Sequence, residues 1–287
     1  MRVAVIGTGL LGGAVAERLH RAGHAVTVYN RTTHKTDHLR TQGVSIADSV
    51  EDAVATTDCA LLFLTDADAI RAVCFSPAAP VSLRNRTLIQ MGTISPEESR
   101  AFEQTVFKAG GEYFEAPVLG SLAEAKAGTL IVMVGGTAEQ IRQWSPLFSS
   151  LTTAPHLIGP VGKAATLKLA LNHLIAAELT AFGVSLGLIR RSDIALDQFM
   201  AILKSSALFA PTFEKKLPRL LARQYDQPNF PVGHLLKDVT LFAEEARRCG
   251  LTTSTVDGLR GILESAINHG YRDGDYSALI EAIDPKT

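Results

Sequence analysis

Lys168 and Asn172 stand four residues apart in a stretch that, from Ala164 to Ile189, is mostly Ala, Leu and Ile with helical spacing and no proline. That spacing places the two side chains on one face of a helix, a turn apart. A helix apolar nearly all round is expected to be buried, so an ammonium on it has two readings. Its stem can cover apolar surface while its head reaches water. Alternatively it is an acid–base group, with burial bringing its pKa down toward working pH and the Asn172 amide orienting it. Snorkelling alone does not require Asn172. His173 faces another direction and reads as a structural histidine.

A second constellation opens the chain. Gly7, Gly9 and Gly12, with Thr8, Leu10 and Leu11 between them, fill a G-x-G-x-x-G pattern. The pattern follows the apolar run Arg2–Gly7, precedes a helix-patterned segment, and is followed by a second run, Ala25–Asn30. Strand, glycines, helix and strand in that order form the context in which the pattern binds a dinucleotide. Gly7 makes the tight turn, Gly9 lets backbone approach a pyrophosphate, and Gly12 allows helix and strand to pack closely. The helix N-terminus offers unpaired N–H groups and positive dipole to the phosphates. At the end of the second run stand Asn30, Arg31 and Thr32, with Lys35 soon after, where NAD-binding proteins carry Asp or Glu for the ribose 2′-hydroxyl. A guanidinium there suits a 2′-phosphate, so NADP(H) is the expected cofactor. His34 and His38 have a spacing that could suit a metal, but no third ligand accompanies them; they are expected to face solvent.

The elements that must position these groups follow from the hydrophobic pattern. Further apolar runs occur at Cys59–Thr65, Thr87–Gly92, Tyr113–Val118 and Thr129–Gly136, with amphipathic helical segments such as Pro96–Gly110 between several of them. This alternation predicts an α/β fold, a doubly wound Rossmann-type sheet with helices on both faces. Strand C-termini in such sheets face the ligand crevice, so Thr65, Thr93 and the Pro117–Ser121 turn are expected to line it. After Gly162 the strand signal stops. Helical patterns cover Ala164–Arg190, Leu196–Ser205, Leu235–Gly250 and Thr255–Gly270, with Gly250 and Gly270 where helix ends are expected. The expected organisation is a Rossmann domain over 1–162 and an all-α substrate and dimerisation domain over 163–287.

Composition narrows the function classes. The chain has 287 residues, 46% hydrophobic and 20% charged, with formal net charge −1. That balance gives no electrostatic case for nucleic acid or an anionic membrane as partner. Cys59, Cys74 and Cys249 are widely spaced, without a Cys-x-x-Cys pair. Neither a disulfide frame nor a zinc site is expected, and a reducing cytoplasm fits. The apolar N-terminus is broken by glycines before a cleavage pattern forms, and Lys168, Asn172, His173 and Glu178 interrupt the long apolar stretch. Neither is read as a targeting or membrane-spanning segment.

Several ordered motifs together resemble the β-hydroxyacid dehydrogenase family, of the 3-hydroxyisobutyrate dehydrogenase and glyoxylate/succinic semialdehyde reductase type. They are VIGTGLLGG at the start, QMGTISP at Gln90–Pro96, EAPVLGS at Glu115–Ser121, GKAATLKLALN at Gly162–Asn172 and HLLKDVTL at His234–Leu241. The tail DGDYSALIE, Asp273–Glu281, also matches, so the resemblance spans nearly the whole chain. It implies that Lys168 is the catalytic lysine, that Asn172 supports it and the substrate, and that Thr93 and Lys237 contact the cofactor. It also implies that Leu119, Gly120 and Ser121 form a substrate loop. The chemistry is compatible: hydride delivery to a carbonyl leaves negative charge growing on oxygen, which needs a proton donor and positive charge nearby.

One departure concerns that loop. The family usually reads Ala-Pro-Val-Ser-Gly there, the serine helping to hold the substrate carboxylate, whereas this chain has Leu119. The leading expectation is NADPH-dependent reduction of a small aldehyde or keto acid, semialdehyde- or glyoxylate-like, with Lys168 as proton donor. An imine reductase of the same architecture and a non-catalytic cofactor-binding module are the alternatives. A long apolar helix that one small helical domain does not cover predicts a homodimer or larger assembly.

Overall fold

The structure is a computed structural model and describes residues 1–76 and 81–285. The chain forms two compact units, Met1–Lys168 and Leu169–Thr287.

The first unit is built on a sheet of nine strands: β1 (Arg2–Ile6), β2 (Ala25–Tyr29), β3 (Ser45–Ile46), β4 (Cys59–Leu62), β5 (Thr87–Gln90), β6 (Glu112–Glu115), β7 (Val118–Leu119), β8 (Ile131–Gly135) and β9 (His156–Gly159). Their spatial order is β3-β2-β1-β4-β5-β6-β8-β7, with β9 beside β8. From β3 to β6 every pairing is parallel. Along β1, Val3 and Val5 enter the core on one face while Ala4 and Ile6 enter the core on the other. A strand buried on both sides explains why it reads as a continuous apolar run. Helix Leu10–Arg21 covers the first face with Ala14, Val15 and Leu19. Helices Ala67–Cys74 and Pro96–Lys108 cover the second with Ile70, Phe102 and Val106.

The sheet departs from expectation beyond β6. The run read as one strand over Tyr113–Val118 divides into β6 and β7 across Ala116–Pro117, because proline has no N–H to give a ladder. β8 runs antiparallel to both β6 and β7, so the sheet is mixed. β9 was not expected; His156–Gly159 is a short edge strand with no clear alternation.

The second unit is helical. Its elements are the continuation of helix Lys163–Arg191, then Leu196–Lys204, Pro211–Ala222, Val232–Arg248 and Ser254–Asn268. By length and hydropathy Lys163–Arg191 could cross a membrane. Its Ala176, Leu179, Phe182 and Leu186 instead enter the core of this unit. Helix Pro211–Ala222 was not expected, because Pro218 lies inside it and basic residues interrupt its apolar pattern. Pro211 occupies the first turn, where a missing N–H costs nothing, and Phe213 and Leu220 are buried. Gly250 and Gly270 end the last two long helices at φ +77° and +91°. There the Gly250 N–H donates to Arg247 O and the Leu251 N–H to Ala246 O, a pairing that glycine's left-handed freedom permits. A buried clamp fastens the tail: Lys216 Nζ lies 2.7 and 2.8 Å from the two Asp275 oxygens.

Candidate active site

Sheet register gathers the expected cofactor residues of the first unit on one edge. Tyr29, Ile6, Leu62, Gln90 and Glu115 lie in one row across β2, β1, β4, β5 and β6. The loops that carry the expected cofactor residues start at the next position of each strand. Gly7–Gly12, Asn30–Thr32, Thr65 and Thr93 are therefore gathered at the C-terminal edge, as strand polarity requires.

The glycine turn fits a dinucleotide. Gly7 has φ +95°, and a Cβ there would come within 2.5 Å of Phe63 O. A Cβ on Gly12 would overlap Gly7 O, so only glycine lets the helix sit against the turn. A Cβ on Gly9 would meet nothing within 4 Å, which leaves backbone open to a ligand. Gly9 is also the N-cap of helix Leu10–Arg21, with no side chain capping the helix and no acidic residue in its first turn. Thr8 Oγ1 is buried without a partner, while Leu10 is exposed and Leu11 partly buried. Open backbone, uncapped helix donors and an orphaned hydroxyl are what a pyrophosphate would satisfy.

Asn30 braces this turn. Its Oδ1 accepts from the Thr8 N–H at 3.0 Å and its Nδ2 donates to Thr32 O at 2.9 Å. The amide thus ties the glycine turn to the segment that follows β2. Arg31 is exposed, as are Lys35, His34 and His38. Among the described residues no group of three or more His, Cys, Asp or Glu is placed to hold a metal ion. Thr65 is exposed and Thr93 partly buried. The N–H groups of Met91 and Gly92 both donate to Leu62 O, at 3.1 and 3.0 Å, which fixes the approach to Thr93.

Leu119 pairs with Ile131 across β7 and β8 and is partly buried. Gly120 has φ +132°, a conformation that favours glycine. The Ser121 donors are already used within the chain. Its N–H and Oγ lie 2.7 and 2.5 Å from Glu124 Oε2, in the capping box of helix Leu122–Ala127. The loop therefore carries Leu119 at the position where a serine was expected, and the Glu124 carboxylate beside Ser121.

Lys168 lies on the long helix, partly buried, one turn before Asn172. Asn172 is 2% exposed and its Nδ2 donates to Asp238 Oδ2 at 2.6 Å. Lys237 Nζ stands 2.7 Å from the other oxygen of Asp238, an ion pair without the alignment of a hydrogen bond. Asp238 thus holds Asn172 and Lys237 together in the second unit. With its NH₂ committed, Asn172 has a fixed amide orientation and a buried Oδ1 without a partner. His173 stacks on Phe242 at 4.3 Å between ring centroids, and burial lowers its pKa. It is a packed histidine.

Two further residues, one in each unit, fix the surroundings of the expected ones. Asp238 follows Lys237 directly, and a carboxylate inside an apolar helix face was the available signal. Glu115, the last residue of β6, is 1% exposed. Its Oε1 accepts from the N–H groups of Gly162, Ala164 and Ala165 at 2.8, 2.8 and 3.0 Å, at the start of the lysine helix. Burial pushes its pKa up, against the Ser99 hydroxyl and the three N–H groups, which pull it down.

Comparison with known proteins agrees with this geometry. Residues 2–159 match the family described as the NAD binding domain of 6-phosphogluconate dehydrogenase. Residues 162–283 match that described as NAD-binding of NADP-dependent 3-hydroxyisobutyrate dehydrogenase. Over 285 residues the chain is 29% identical to glyoxylate/succinic semialdehyde reductase 1 of Arabidopsis thaliana, covering 99% of this chain and 98% of the relative. The crystal structure of 3-hydroxyisobutyrate dehydrogenase from Salmonella typhimurium superposes with TM-score 0.87 at 22% identity, over 98% of this chain and 99% of that one. An imine reductase from Myxococcus stipitatus in complex with NADP+ gives 0.68 at 21% identity, over 99% and 100%. These two likenesses speak to fold alone. Glycine turn, lysine helix and both family matches lead to one assignment: the chain belongs to the β-hydroxyacid dehydrogenase family and is an NAD(P)-dependent oxidoreductase.

Proposed function

We propose that the chain is an NADPH-dependent reductase of a small aldehyde or keto acid, semialdehyde- or glyoxylate-like, with Lys168 as the proton donor. The observation that carries this reading is Lys168 one turn from an asparagine whose amide is locked by a buried aspartate. Gly7–Gly12, Asn30–Thr32, Thr65, Thr93 and Lys237 would hold the cofactor. Bound there, a reduced nicotinamide supplies the hydride. Lys168 gives a proton to the carbonyl oxygen as charge develops on it, and its positive charge stabilises that oxygen beforehand. Asn172, one turn further along the helix, would orient the ammonium. A steady-state survey of NADPH oxidation with semialdehydes, glyoxylate, uncharged aldehydes and cyclic imines tests the reading. Turnover of none of them would refute it.

The preference for NADPH is argued from Arg31, exposed just beyond β2 with no acidic residue from Asn30 to Thr36. Arg31→Ala is expected to raise KM for NADPH far more than for NADH. A charge-assisted phosphate contact is worth about 1.5–3 kcal/mol, roughly ten- to a hundredfold. Equal and small changes for both cofactors would remove the assignment.

Cyclic imines are the second reading, favoured by the loop: Leu119 offers no hydroxyl, and Glu124 already takes the Ser121 donors. Leu119→Ser is expected to raise kcat/KM for carboxylate-bearing aldehydes relative to uncharged ones. A roughly three- to tenfold change matches one added hydrogen bond. An identical response of both classes would place Leu119 outside substrate selection.

The assembly we propose is a homodimer or larger. Leu174, Val184 and Leu188 leave an apolar stripe of the long helix 51%, 54% and 66% exposed, a face a second copy would cover. Light scattering that finds only monomer at micromolar concentration would contradict it. The free thiols Cys59, Cys74 and Cys249 support a reducing compartment such as the cytoplasm.

A further inference from the structure

Glu115 has no part in the chemistry described above, yet it is the most heavily bonded carboxylate at the sheet edge. One oxygen receives three backbone N–H groups from the start of the lysine helix, and the other receives the Ser99 hydroxyl at 2.5 Å. The helix begins without a cap of its own. Gly162 precedes Lys163 with φ +98° and has no side chain to accept from the first turn. Ser, Thr, Asp or Asn at that position would ordinarily provide the acceptor. Here the acceptor comes from a strand 47 residues earlier in the chain. The neighbouring strand makes room for it, since a Cβ on Gly135 would overlap Glu115 Oε1.

We infer that Glu115 is a positioning residue for Lys168: by capping the lysine helix from the end of β6, it sets where the ammonium stands relative to the loop Leu119–Ser121. The inference rests on the proposed role of Lys168. Lys168 lies five residues into the helix, about 7.5 Å along the axis at 1.5 Å per residue, so pinning the first turn pins the lysine. On the other side, only Ala116, Pro117 and Val118 separate Glu115 from Leu119, and Pro117 fixes one backbone angle of that short connection. Ser99 adds a third element, since helix Pro96–Lys108 is tied to the same carboxylate. A stability cap needs none of this. Burying a carboxylate is costly, and a local serine would cap the helix without that cost. What the distant carboxylate adds is a fixed distance between two parts of one site.

The test uses the full-length protein with Glu115→Ala and Glu115→Gln. It measures kcat and KM with the best carbonyl substrate, the NADPH Kd by fluorescence titration, thermal unfolding, and amide exchange at Ala164 and Ala165. In Glu115→Ala, kcat is expected to fall about ten- to a hundredfold, the scale of a misplacement near 1 Å. NADPH Kd should stay within about twofold, because the glycine turn makes none of these contacts. The Ala164 and Ala165 amides should exchange faster. Glu115→Gln keeps an acceptor oxygen but loses the charge at the helix N-terminus, and should recover part of kcat. A folded Glu115→Ala protein with unchanged kcat would overturn the inference. So would kcat falling only in proportion to the fraction folded, the signature of a merely structural cap. If the alanine variant does not fold, the glutamine variant decides: kcat lowered at least about threefold with unchanged NADPH Kd supports the role, and wild-type kcat refutes it. Lys168→Met assayed in parallel separates the two claims. An active Lys168→Met protein sinks the reading of Lys168, whereas an inactive one beside fully active Glu115 variants sinks the positioning role alone.

Discussion

Lys168→Met is expected to fold normally, bind NADPH with unchanged affinity and lose turnover by about 10²–10⁴-fold, the contribution of a positioned acid or base. Methionine is close to lysine in length and apolar, so it preserves whatever packing the stem provides. A lysine present only to cover apolar surface would therefore be replaced without loss. Rate against pH gives a second reading of the same variant. In the direction of carbonyl reduction, turnover of the unsubstituted enzyme should fall as pH rises and the ammonium loses its proton. That limb should be absent from Lys168→Met. Near-wild-type turnover in the folded variant would contradict the mechanism.

Lys216→Met should show the opposite pattern, a loss of stability without a loss of chemistry. Lys216 and Asp275 are 3% and 0% exposed and face each other. Asp275 also accepts from the Asn229 and Ser277 N–H groups and the Ser277 hydroxyl, while the ammonium lies 4.2 Å from the centre of the Tyr276 ring. Removing one partner leaves a buried charge uncompensated, at a cost of about 3–5 kcal/mol. The pH dependence of the loss has a definite sign. Burial pushes the Asp275 pKa up, but Lys216 and Ser277 outweigh it and hold the carboxyl below its ordinary value. A depressed pKa contributes stability above the unfolded value of about 3.9, and that stability is lost as pH falls through the folded value. Without Lys216, burial is opposed only by the Ser277 and Asn229 donors, and the folded pKa is expected to rise above the unfolded one. The variant's stability is then greatest at low pH and declines as pH rises through the raised value. Urea unfolding should show the gap between the two proteins narrowing from pH 7 to pH 5. An unchanged gap would mean that Asp275 is not left charged and alone. Turnover per folded molecule should match wild type, because the ammonium's contacts are with the tail clamp.

The parts of this site that were legible in the sequence are those whose geometry is local. Gly7, Gly9 and Gly12 sit within six residues: Gly7 and Gly12 are demanded by close backbone, Phe63 O and Gly7 O, while Gly9 leaves the turn's backbone open. Lys168 and Asn172 are related by one helical turn, which spacing alone reveals. Asp238 and Glu115 were quoted within motifs but given no role, because what they do depends on partners 66 and 47–50 residues away. A carboxylate at a strand end gives no local sign that it will cap a distant helix. The contacts of Ser121 are local and were legible, though only its place in the substrate loop was read. The S-x-x-E spacing to Glu124 marks a capping box, and that box takes the donors expected to meet substrate. Among the elements, the parallel half of the sheet followed from continuous apolar runs, whereas the antiparallel direction of β8 and the presence of β9 beside it depend on pairings that no periodicity encodes. Helix Pro211–Ala222 was hidden by Pro218, whose cost the packing of Phe213 and Leu220 offsets.

Hydride transfer itself is the most direct test of the account. NADPH carrying deuterium at nicotinamide C4, on whichever face the enzyme uses, would be incubated with the protein and its best carbonyl substrate, and the product examined by mass spectrometry and NMR. The account predicts one deuterium at the new carbinol carbon for each NADPH consumed in wild type, and scarcely any product in Lys168→Met over the same time. NADPH consumption without label at that carbon, or labelled product formed at equal rates by both proteins, would contradict it.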